Sequence, residues 1–116
     1  MNRKIFNYFE IAARTACLKA DERNFLLGSV GIRSDGTMVK SFNSSAVIPM
    51  ASGHSERRVA AKLDYGAVVY VARVRLIDGC WGMAKPCKSC MVALMAKKVS
   101  KIYYTISHKE YGVIIP

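Results

Sequence analysis

The chain has 116 residues, of which 52% are hydrophobic and 22% are charged, and Lys and Arg outnumber Asp and Glu by 18 to 8. This composition predicts a single domain, residues 1–116, with a buried core, and it excludes a disordered linker protein. The formal charge of +10 indicates a substrate or partner that carries phosphate. No apolar run approaches the roughly 18 residues that cross a bilayer. Charges also interrupt the N-terminal stretch, so we expect neither a membrane segment nor a signal peptide.

The first half of the chain predicts a helix, a hairpin and a second helix. Apolar residues recur at helical spacing from Lys4 to about Ala20 and predict an amphipathic helix. Its buried face would carry Ile5, Phe9, Ala12 and Ala16. Strands are predicted at 24–33 and 37–43, and the SDG turn between them predicts antiparallel pairing. A helix at 54–66 is expected to end at Gly66.

The second half alternates strands with a helix. The apolar run at 67–77 is typical of a strand buried on both faces. A loop leads to Pro86, which suits the first turn of a helix at 87–99. The buried stripe of that helix would be Met91, Leu94 and Met95. A strand at 101–106 and a short final strand follow, close enough to form a hairpin. Helical crossovers predict parallel pairing of the later strands, hence a mixed α/β sheet covered by helices.

The segment KPCKSC places Cys87 and Cys90 two residues apart behind Pro86. A disulfide, a redox pair and a metal site all use such spacing. With no export signal, we expect the thiols in a reducing cytoplasm, which argues against a disulfide. A redox pair usually follows the first strand of its fold and leaves the HSE segment at 54–56 unexplained. A metal site is therefore favoured.

Three zinc-ligand residues lie at predicted helix starts. His54 opens one helix, and Cys87 and Cys90 open the next. The exposed N–H groups and the helix dipole stabilise thiolates at such a position. Three protein ligands with an open fourth position are the catalytic pattern of zinc, and a water there would be acidified. Glu56 follows His54 closely enough to serve that water, so the set predicts a hydrolytic site.

The combination HSE…PCKSC resembles the signature of the zinc-dependent cytidine and deoxycytidylate (CMP/dCMP-type) deaminase superfamily. The order of predicted elements is similar over nearly the whole chain. The resemblance implies a cytidine-deaminase-like three-layer α/β/α fold with a mixed sheet of about five strands. It implies one catalytic zinc per chain, held by His54, Cys87 and Cys90. Glu56 would take a proton from water at the zinc, deliver it to N3 of cytosine and help protonate the departing ammonia.

The same resemblance assigns two substrate-binding residues. Asn43 lies where relatives place an asparagine that binds the sugar. Ser55 stands where relatives usually have alanine, and its backbone N–H would bind the base. Two departures argue against plain cytidine as substrate. Nucleoside enzymes usually carry a Glu where this chain has Ser45, and they usually bind zinc through three cysteines rather than a histidine.

The leading substrate is therefore a free nucleotide such as dCMP, whose phosphate the basic residues would attract. The alternative is a polynucleotide deaminase acting on cytosine or adenine in single-stranded DNA or RNA. Such relatives generally carry further C-terminal helices, for which the ten residues after the 101–106 strand leave little room. A noncatalytic zinc-stabilised nucleic-acid-binding module would have no need of Glu56. Relatives commonly form dimers or tetramers, so we expect a homo-oligomer.

Three residues outside the motif have interpretations of their own. Cys17 is predicted to lie in the core. His108 is predicted to be a solvated turn residue. Trp81 would either stack on a base or cover the edge of the sheet. The sequence leaves the final strand antiparallel, as in compact nucleoside deaminases, or parallel to its neighbour, and the short connection before it favours a hairpin.

Overall fold

The computed structural model describes residues 2–17, 25–42, 55–75 and 77–116. Its elements in chain order are α1 (Arg3–Ala16), β1 (Phe25–Ile32), β2 (Met38–Phe42), α2 (Ser55–Ala60), β3 (Val68–Arg75), β4 (Trp81–Gly82), α3 (Lys88–Ala96), β5 (Lys101–Thr105) and β6 (Tyr111–Ile114). The predicted succession of elements is confirmed, with β4 as an addition inside the predicted loop.

The strands form one mixed sheet in the order β2-β1-β3-β5-β6, and β4 pairs with the end of β3. β3 and β5 run parallel, joined by α3 as their crossover. The other pairs run antiparallel, including the predicted β5–β6 hairpin. The mixed sheet is thus confirmed, with six strands in place of about five because the two-residue β4 adds to it.

Helices cover both faces of the sheet and give the predicted three layers. On one face, α1 packs against β1 and β3 through a core that includes Phe9 and Leu26. The helix lies so close that a Cβ at Gly28 would overlap the carbonyl oxygen of Ala12. On the other face, α2 and α3 form a second core with Val59 and Leu94 at its centre.

β3 is buried on both faces, as its apolar run predicts. Tyr70, Ala72 and Val74 belong to the core under α1, whereas Val69 and Val71 belong to the core under α2 and α3. The alternation follows from the two-residue period of a strand, which sends successive side chains to opposite faces. Strand β3 therefore holds the two helical layers together.

Helix α3 corrects the predicted buried stripe. Leu94 is wholly buried and Met91 is half-buried, but Met95 is 53% exposed. The prediction for Met95 is wrong because α3 carries apolar residues on several sides, so its sequence does not define one buried face. Helix α2 also ends at Ala60, earlier than predicted, where the chain passes into tighter turns in which Lys62 and Leu63 bond three residues back.

Cys17 is exposed, and its predicted core position is wrong. It is the C-cap residue of α1, so it follows the last buried residue of the helix, Ala16. An amphipathic stripe includes about every third or fourth residue, and the position directly after Ala16 points away from it.

Trp81 packs in the aromatic core beneath α1. Only 9% of its surface is exposed, and its ring lies 5.2 Å from that of Phe6. The exposed His108 stacks on Trp81 at 4.5 Å, and its Nδ1 accepts the backbone N–H of Trp81 at 3.3 Å. Trp81 therefore covers the edge of the sheet on the face opposite α2 and α3. His108 is exposed as predicted, but it is also a packing partner.

Within the described residues, no helix combines the length and apolar character that crossing a membrane requires.

Candidate active site

Helices α2 and α3 run side by side in the same direction. The chain just after α2 meets the end of α3 through two contacts: Lys97 Nζ donates to the carbonyl of Leu63 at 3.0 Å, and the Gly66 N–H donates to the carbonyl of Lys98 at 3.2 Å. Gly66 has a φ of 85°, the left-handed conformation that glycine adopts without strain. Since the C-terminal ends of the two helices are joined, their N-terminal ends share the opposite side of the layer.

The start of α2 lies over the middle of the sheet. Ser55, the first residue of α2, has its Oγ 2.8 Å from the Oγ of Ser29. Ser29 in β1 is the register partner of Val71 in β3. The N-terminus of α2 therefore lies at the level of Val71.

The chain leading into α3 reaches the same level. The N–H of Ala84 donates to the carbonyl of Thr105 at 2.9 Å, which fixes this segment at the carboxyl end of β5. Thr105 follows Tyr104, and Tyr104 is the parallel partner of Val71. The start of α2 and the segment leading into α3 thus lie at the same level of the sheet, on β1 and β5, the two neighbours of β3.

Cys87 and Cys90 lie in the first turn of α3. Cys87 is the N-cap residue and is exposed, whereas Cys90 is wholly buried. The backbone N–H of Met91 bonds to the Cys87 carbonyl at 2.9 Å, so the turn that carries both sulfurs is closed. Residues three apart lie on the same side of a helix, and the positive end of the helix dipole favours their thiolate forms.

Glu56 is a buried carboxylate in the first turn of α2, with only 3% of its surface exposed. Its Oε1 accepts the hydroxyl of Ser55 at 2.8 Å. A buried charge is costly unless it is hydrogen-bonded or paired. A carboxylate placed here, next to the helix that carries two cysteines, therefore indicates a function beyond helix capping.

Arg58 connects α2 to the end of β2. Its Nη1 donates to the carbonyl of Phe42 at 2.8 Å, and its guanidinium lies 4.8 Å from the centroid of the Phe42 ring. Phe42 is the last residue of β2 and directly precedes Asn43. The helix that carries Glu56 thus fixes the backbone that leads into the predicted sugar-binding residue.

Two of the predicted site residues, His54 and Asn43, lie outside the described residues. They adjoin Ser55 and Phe42, which are described. Among the residues that the structure does describe, no three of His, Cys, Asp and Glu converge on a common point that could hold a metal ion. The described part of the predicted set is therefore Ser55, Glu56, Cys87 and Cys90.

The donors that are described fit zinc. Thiolates are soft ligands that select zinc among the common divalent ions, and a helix N-terminus favours their deprotonated form. The wholly buried Cys90 lies where a ligand would be shielded from solvent, and the exposed Cys87 lies where the site would open to it. The buried Glu56 at the start of the neighbouring helix adds a proton acceptor rather than another soft ligand.

Sequence reasoning missed two contributors to this site, Ser29 and Arg58. Ser29 is the one hydroxyl residue in the otherwise apolar strand FLLGSVGI, and it is wholly buried. An isolated serine in such a strand is a detectable signal, but its partner on α2 is set by tertiary packing. For Arg58 no comparable signal exists, because arginines on short helices usually face water.

The comparisons with known proteins identify the fold. No protein-family model matches the chain, and no curated protein matches it. A crystal structure of a cytidine deaminase from Burkholderia pseudomallei is similar to it, with a TM-score of 0.69 and 19% sequence identity. The similarity covers 99% of this chain and 93% of that one. The chain therefore has the cytidine deaminase-like fold.

Proposed function

We propose that this protein is a zinc-dependent hydrolytic deaminase that converts a cytosine base to uracil. The observation that carries the proposal is the buried Glu56 in the first turn of α2, a helix that packs against α3, whose first turn carries Cys87 and Cys90. A noncatalytic zinc module would have no need of a buried carboxylate at this position. The cytidine deaminase-like fold supports the same reaction.

His54, Cys87 and Cys90 would hold the zinc. Zinc bound by these residues would supply a Lewis acid that lowers the pKa of a water molecule in the site. The dipole of α3 would keep both sulfurs deprotonated. His54 directly precedes Ser55 in the chain, and the Ser55 side chain is hydrogen-bonded to Ser29 on β1.

Glu56 would move the protons of the reaction. Its carboxylate takes one proton from the attacking water and delivers it to N3 of cytosine, while the water oxygen forms a bond to C4. Glu56 then carries the second water proton to the exocyclic amine, the C4–N4 bond breaks, and ammonia leaves. Cytosine and water thus become uracil and ammonia, with no other reactant. The buried position of Glu56 favours the transfer, because it keeps bulk water from competing for the proton.

For the substrate we propose a free cytidine or deoxycytidine nucleotide such as dCMP. Two exposed lysines, Lys85 and Lys88, lie on either side of the exposed Cys87. They supply cations at the solvent side of the site, where a phosphate would lie. A nucleoside is the second candidate, because β6 runs antiparallel to β5 and the similar solved structure is a cytidine deaminase, so a nucleoside belongs in every test.

The decisive experiment is a competition assay on zinc-loaded protein. dCMP, cytidine and a cytosine-bearing single-stranded oligonucleotide are supplied together, and uracil formation is measured in each by mass spectrometry. Glu56→Gln, which keeps the size of the side chain, is the blank. We expect uracil from dCMP first, and none from the blank. Uracil formed in the oligonucleotide, with dCMP unconverted, would show that the substrate is a polynucleotide rather than a free nucleotide. Zinc-loaded protein inactive on all three would contradict the deaminase proposal.

We further propose that the protein is a cytoplasmic homo-oligomer. Helix α3 exposes Val92 and Met95, which are 67% and 53% exposed, although Leu94 on the same helix is wholly buried. A helix that is apolar on several sides is typically covered on several sides. A second copy of the chain is the occupant we propose for this outer face. The exposed thiols of Cys17 and Cys80 suit a reducing compartment.

A further inference from the structure

We propose that Ser29 and Ser55, here called the serine pair, position the Glu56 carboxylate for proton transfer. The inference rests on the proposed function, since it assigns positioning residues to the same reaction. It concerns the two hydroxyl groups that lie next to Glu56 in the structure. The hydroxyl of Ser55 therefore adds a contact to Glu56 that an alanine could not make.

The direction of the two hydrogen bonds follows from counting protons. The Ser55 hydroxyl has one proton, and it donates that proton to Oε1 of Glu56 at 2.8 Å. The Oγ atoms of Ser29 and Ser55 are also 2.8 Å apart. Since the proton of Ser55 is already engaged, Ser29 is the donor in this second bond. The series runs in one direction, from Ser29 to Ser55 to Glu56.

The series begins on a rigid element. Ser29 lies in β1, which pairs with β2 on one side and β3 on the other. Its register partners are Ser41 and Val71, so its backbone is held within the sheet from both sides. Ser29 and Ser55 are wholly buried, and no water needs to bridge hydroxyls only 2.8 Å apart.

Holding Oε1 fixes the orientation of the whole carboxylate. A carboxylate is planar, so once Oε1 is bonded, the direction of Oε2 is set. Oε2 is the oxygen that would exchange protons with water and the base. Proton transfer requires heavy atoms within hydrogen-bond reach and in line, and a misplaced base loses rate rather than binding. The serine pair should therefore act on kcat and leave KM and zinc content unchanged.

The test compares Ser55→Ala, Ser29→Ala and the double variant. We expect kcat to fall about 10- to 100-fold in Ser55→Ala, the range typical of groups that orient a ligand or base. Ser29→Ala should lose less. Because Ser29 acts only through Ser55, the double variant should match Ser55→Ala rather than add the two losses. KM and bound zinc should stay at wild-type values in all three. Unchanged kcat in Ser55→Ala, or independent losses in the double variant, would overturn the proposal.

The matched control is Thr15→Val. Thr15 is also buried and its hydroxyl also makes one hydrogen bond, to the carbonyl of Ile11 at 2.8 Å, but it lies on α1 at the other face of the sheet. This variant should lower the melting temperature and leave kcat unchanged. It therefore separates the loss of a buried hydroxyl as such from the loss of the contact to Glu56.

A second readout does not depend on catalysis. Unfolding free energies of Ser55→Ala, Glu56→Leu and the combined variant form a double-mutant cycle, because leucine, unlike glutamine, cannot accept the Ser55 hydroxyl. A hydrogen bond to a buried charge predicts coupling of about tenfold or more in the unfolding equilibrium constant. If the unfolding free energies show no coupling between residues 55 and 56, the proposed role of the serine pair is contradicted, whatever the activity of the variants. Zinc-loaded wild type inactive on every substrate would instead overturn the proposed function, so the two failures are distinguishable.

Discussion

Tyr70 of β3 and Tyr103 of β5 stack face to face, with ring centroids 4.7 Å apart and ring planes 8° apart. The two residues are register partners in the parallel pair, and Tyr8 of α1 stacks on Tyr70 as well, also at 4.7 Å. Burial raises the pKa of Tyr70 to about 12, and repulsion from negative charge on Tyr103 and Tyr8 contributes to the rise. The stack joins α1 to the parallel strands.

The raised pKa of Tyr70 predicts a loss of stability in alkali. The phenol ionises near pH 10 in the unfolded chain and near pH 12 in the folded one. Its contribution is therefore fully present below pH 10 and is lost as the pH rises through 12. Two pKa units correspond to about 3 kcal/mol. Denaturant unfolding measured across this range should show the loss. Tyr70→Phe keeps the ring and should flatten the profile; an unchanged profile would contradict the assignment.

Replacing Arg58 should weaken substrate binding. Arg58→Leu removes the hydrogen bond to the carbonyl of Phe42, the residue that directly precedes Asn43 in the chain. We expect a several-fold higher KM with little change in kcat, and about 1 to 2 kcal/mol lower unfolding free energy. Lys62→Met is the matched control, because Lys62, two residues after the end of α2, also donates to a β2 carbonyl, that of Lys40, which is farther along the chain from Asn43. An equal rise of KM in both variants would contradict the role of Arg58.

Removing zinc should destabilise the fold. Chelation should lower the unfolding free energy by about 3 kcal/mol, the value for a ligand present at about 100 times its Kd. Cys90→Ser and Cys87→Ser should abolish this response to chelator, and Cys90→Ser should cost more stability because Cys90 is wholly buried. Cys80→Ser is the control, since Cys80 is exposed and outside the motif. Metal content by mass spectrometry checks the result. A chelator response retained in both motif variants would exclude a cysteine-held metal.

Neutralising the lysines beside Cys87 should affect the nucleotide alone. In Lys85→Ala with Lys88→Ala, kcat/KM for dCMP should fall about 2- to 30-fold, which is the effect of losing two exposed ion pairs of about 0.2 to 1 kcal/mol each. The value for cytidine should not change, because cytidine has no phosphate. Added salt should weaken dCMP binding in the wild type in the same direction. Lys101→Ala, an exposed lysine at the opposite end of β5, should behave like wild type. Equal losses of kcat/KM on dCMP and cytidine would contradict a contact between these lysines and the phosphate.

Charging the outer face of α3 should dissociate the proposed oligomer. Val92→Lys with Met95→Lys places two charges where a second copy would pack, and burying unpaired charge there is costly. Light scattering after size exclusion should show a shift toward monomer in the double variant. Ile77→Lys is the control, because Ile77 is 89% exposed but lies outside α3. A wild type that is already monomeric would contradict the proposal.

Much of the fold follows from local sequence signals. The apolar run of β3 predicts burial on both faces, and the spacing of Ile5, Phe9, Ala12 and Ala16 predicts the buried face of α1. β4 was missed because two residues carry no periodicity, and it exists only through pairing with Arg73 and Val74. Met95 was placed wrongly because hydrophobicity alone does not say which side of an apolar helix meets the core.

The candidate site could be predicted only where its residues lie close together in the sequence and form a short motif. His-x-Glu and Cys-x-x-Cys have fixed spacings, so Glu56, Cys87 and Cys90 could be proposed from the sequence, and their roles remain predictions. The contacts that hold Glu56 join residues 26 positions apart in the chain, and those that hold Phe42 join residues 16 apart. Such pairs depend on how α2 lies on the sheet. No local pattern specifies that placement.

Helices α2 and α3 are joined to each other at their C-terminal ends, away from the residues proposed for the site. Lys97 and Gly66 make the joining contacts, and Lys97 lies roughly 13 Å along α3 from its cysteines at a rise of 1.5 Å per residue. The distance between the N-terminal ends of the two helices therefore depends on contacts at the surface, on the side away from the proposed site. Variants selected for altered metal retention should consequently include changes around Lys97, among residues that touch neither the ion nor the base.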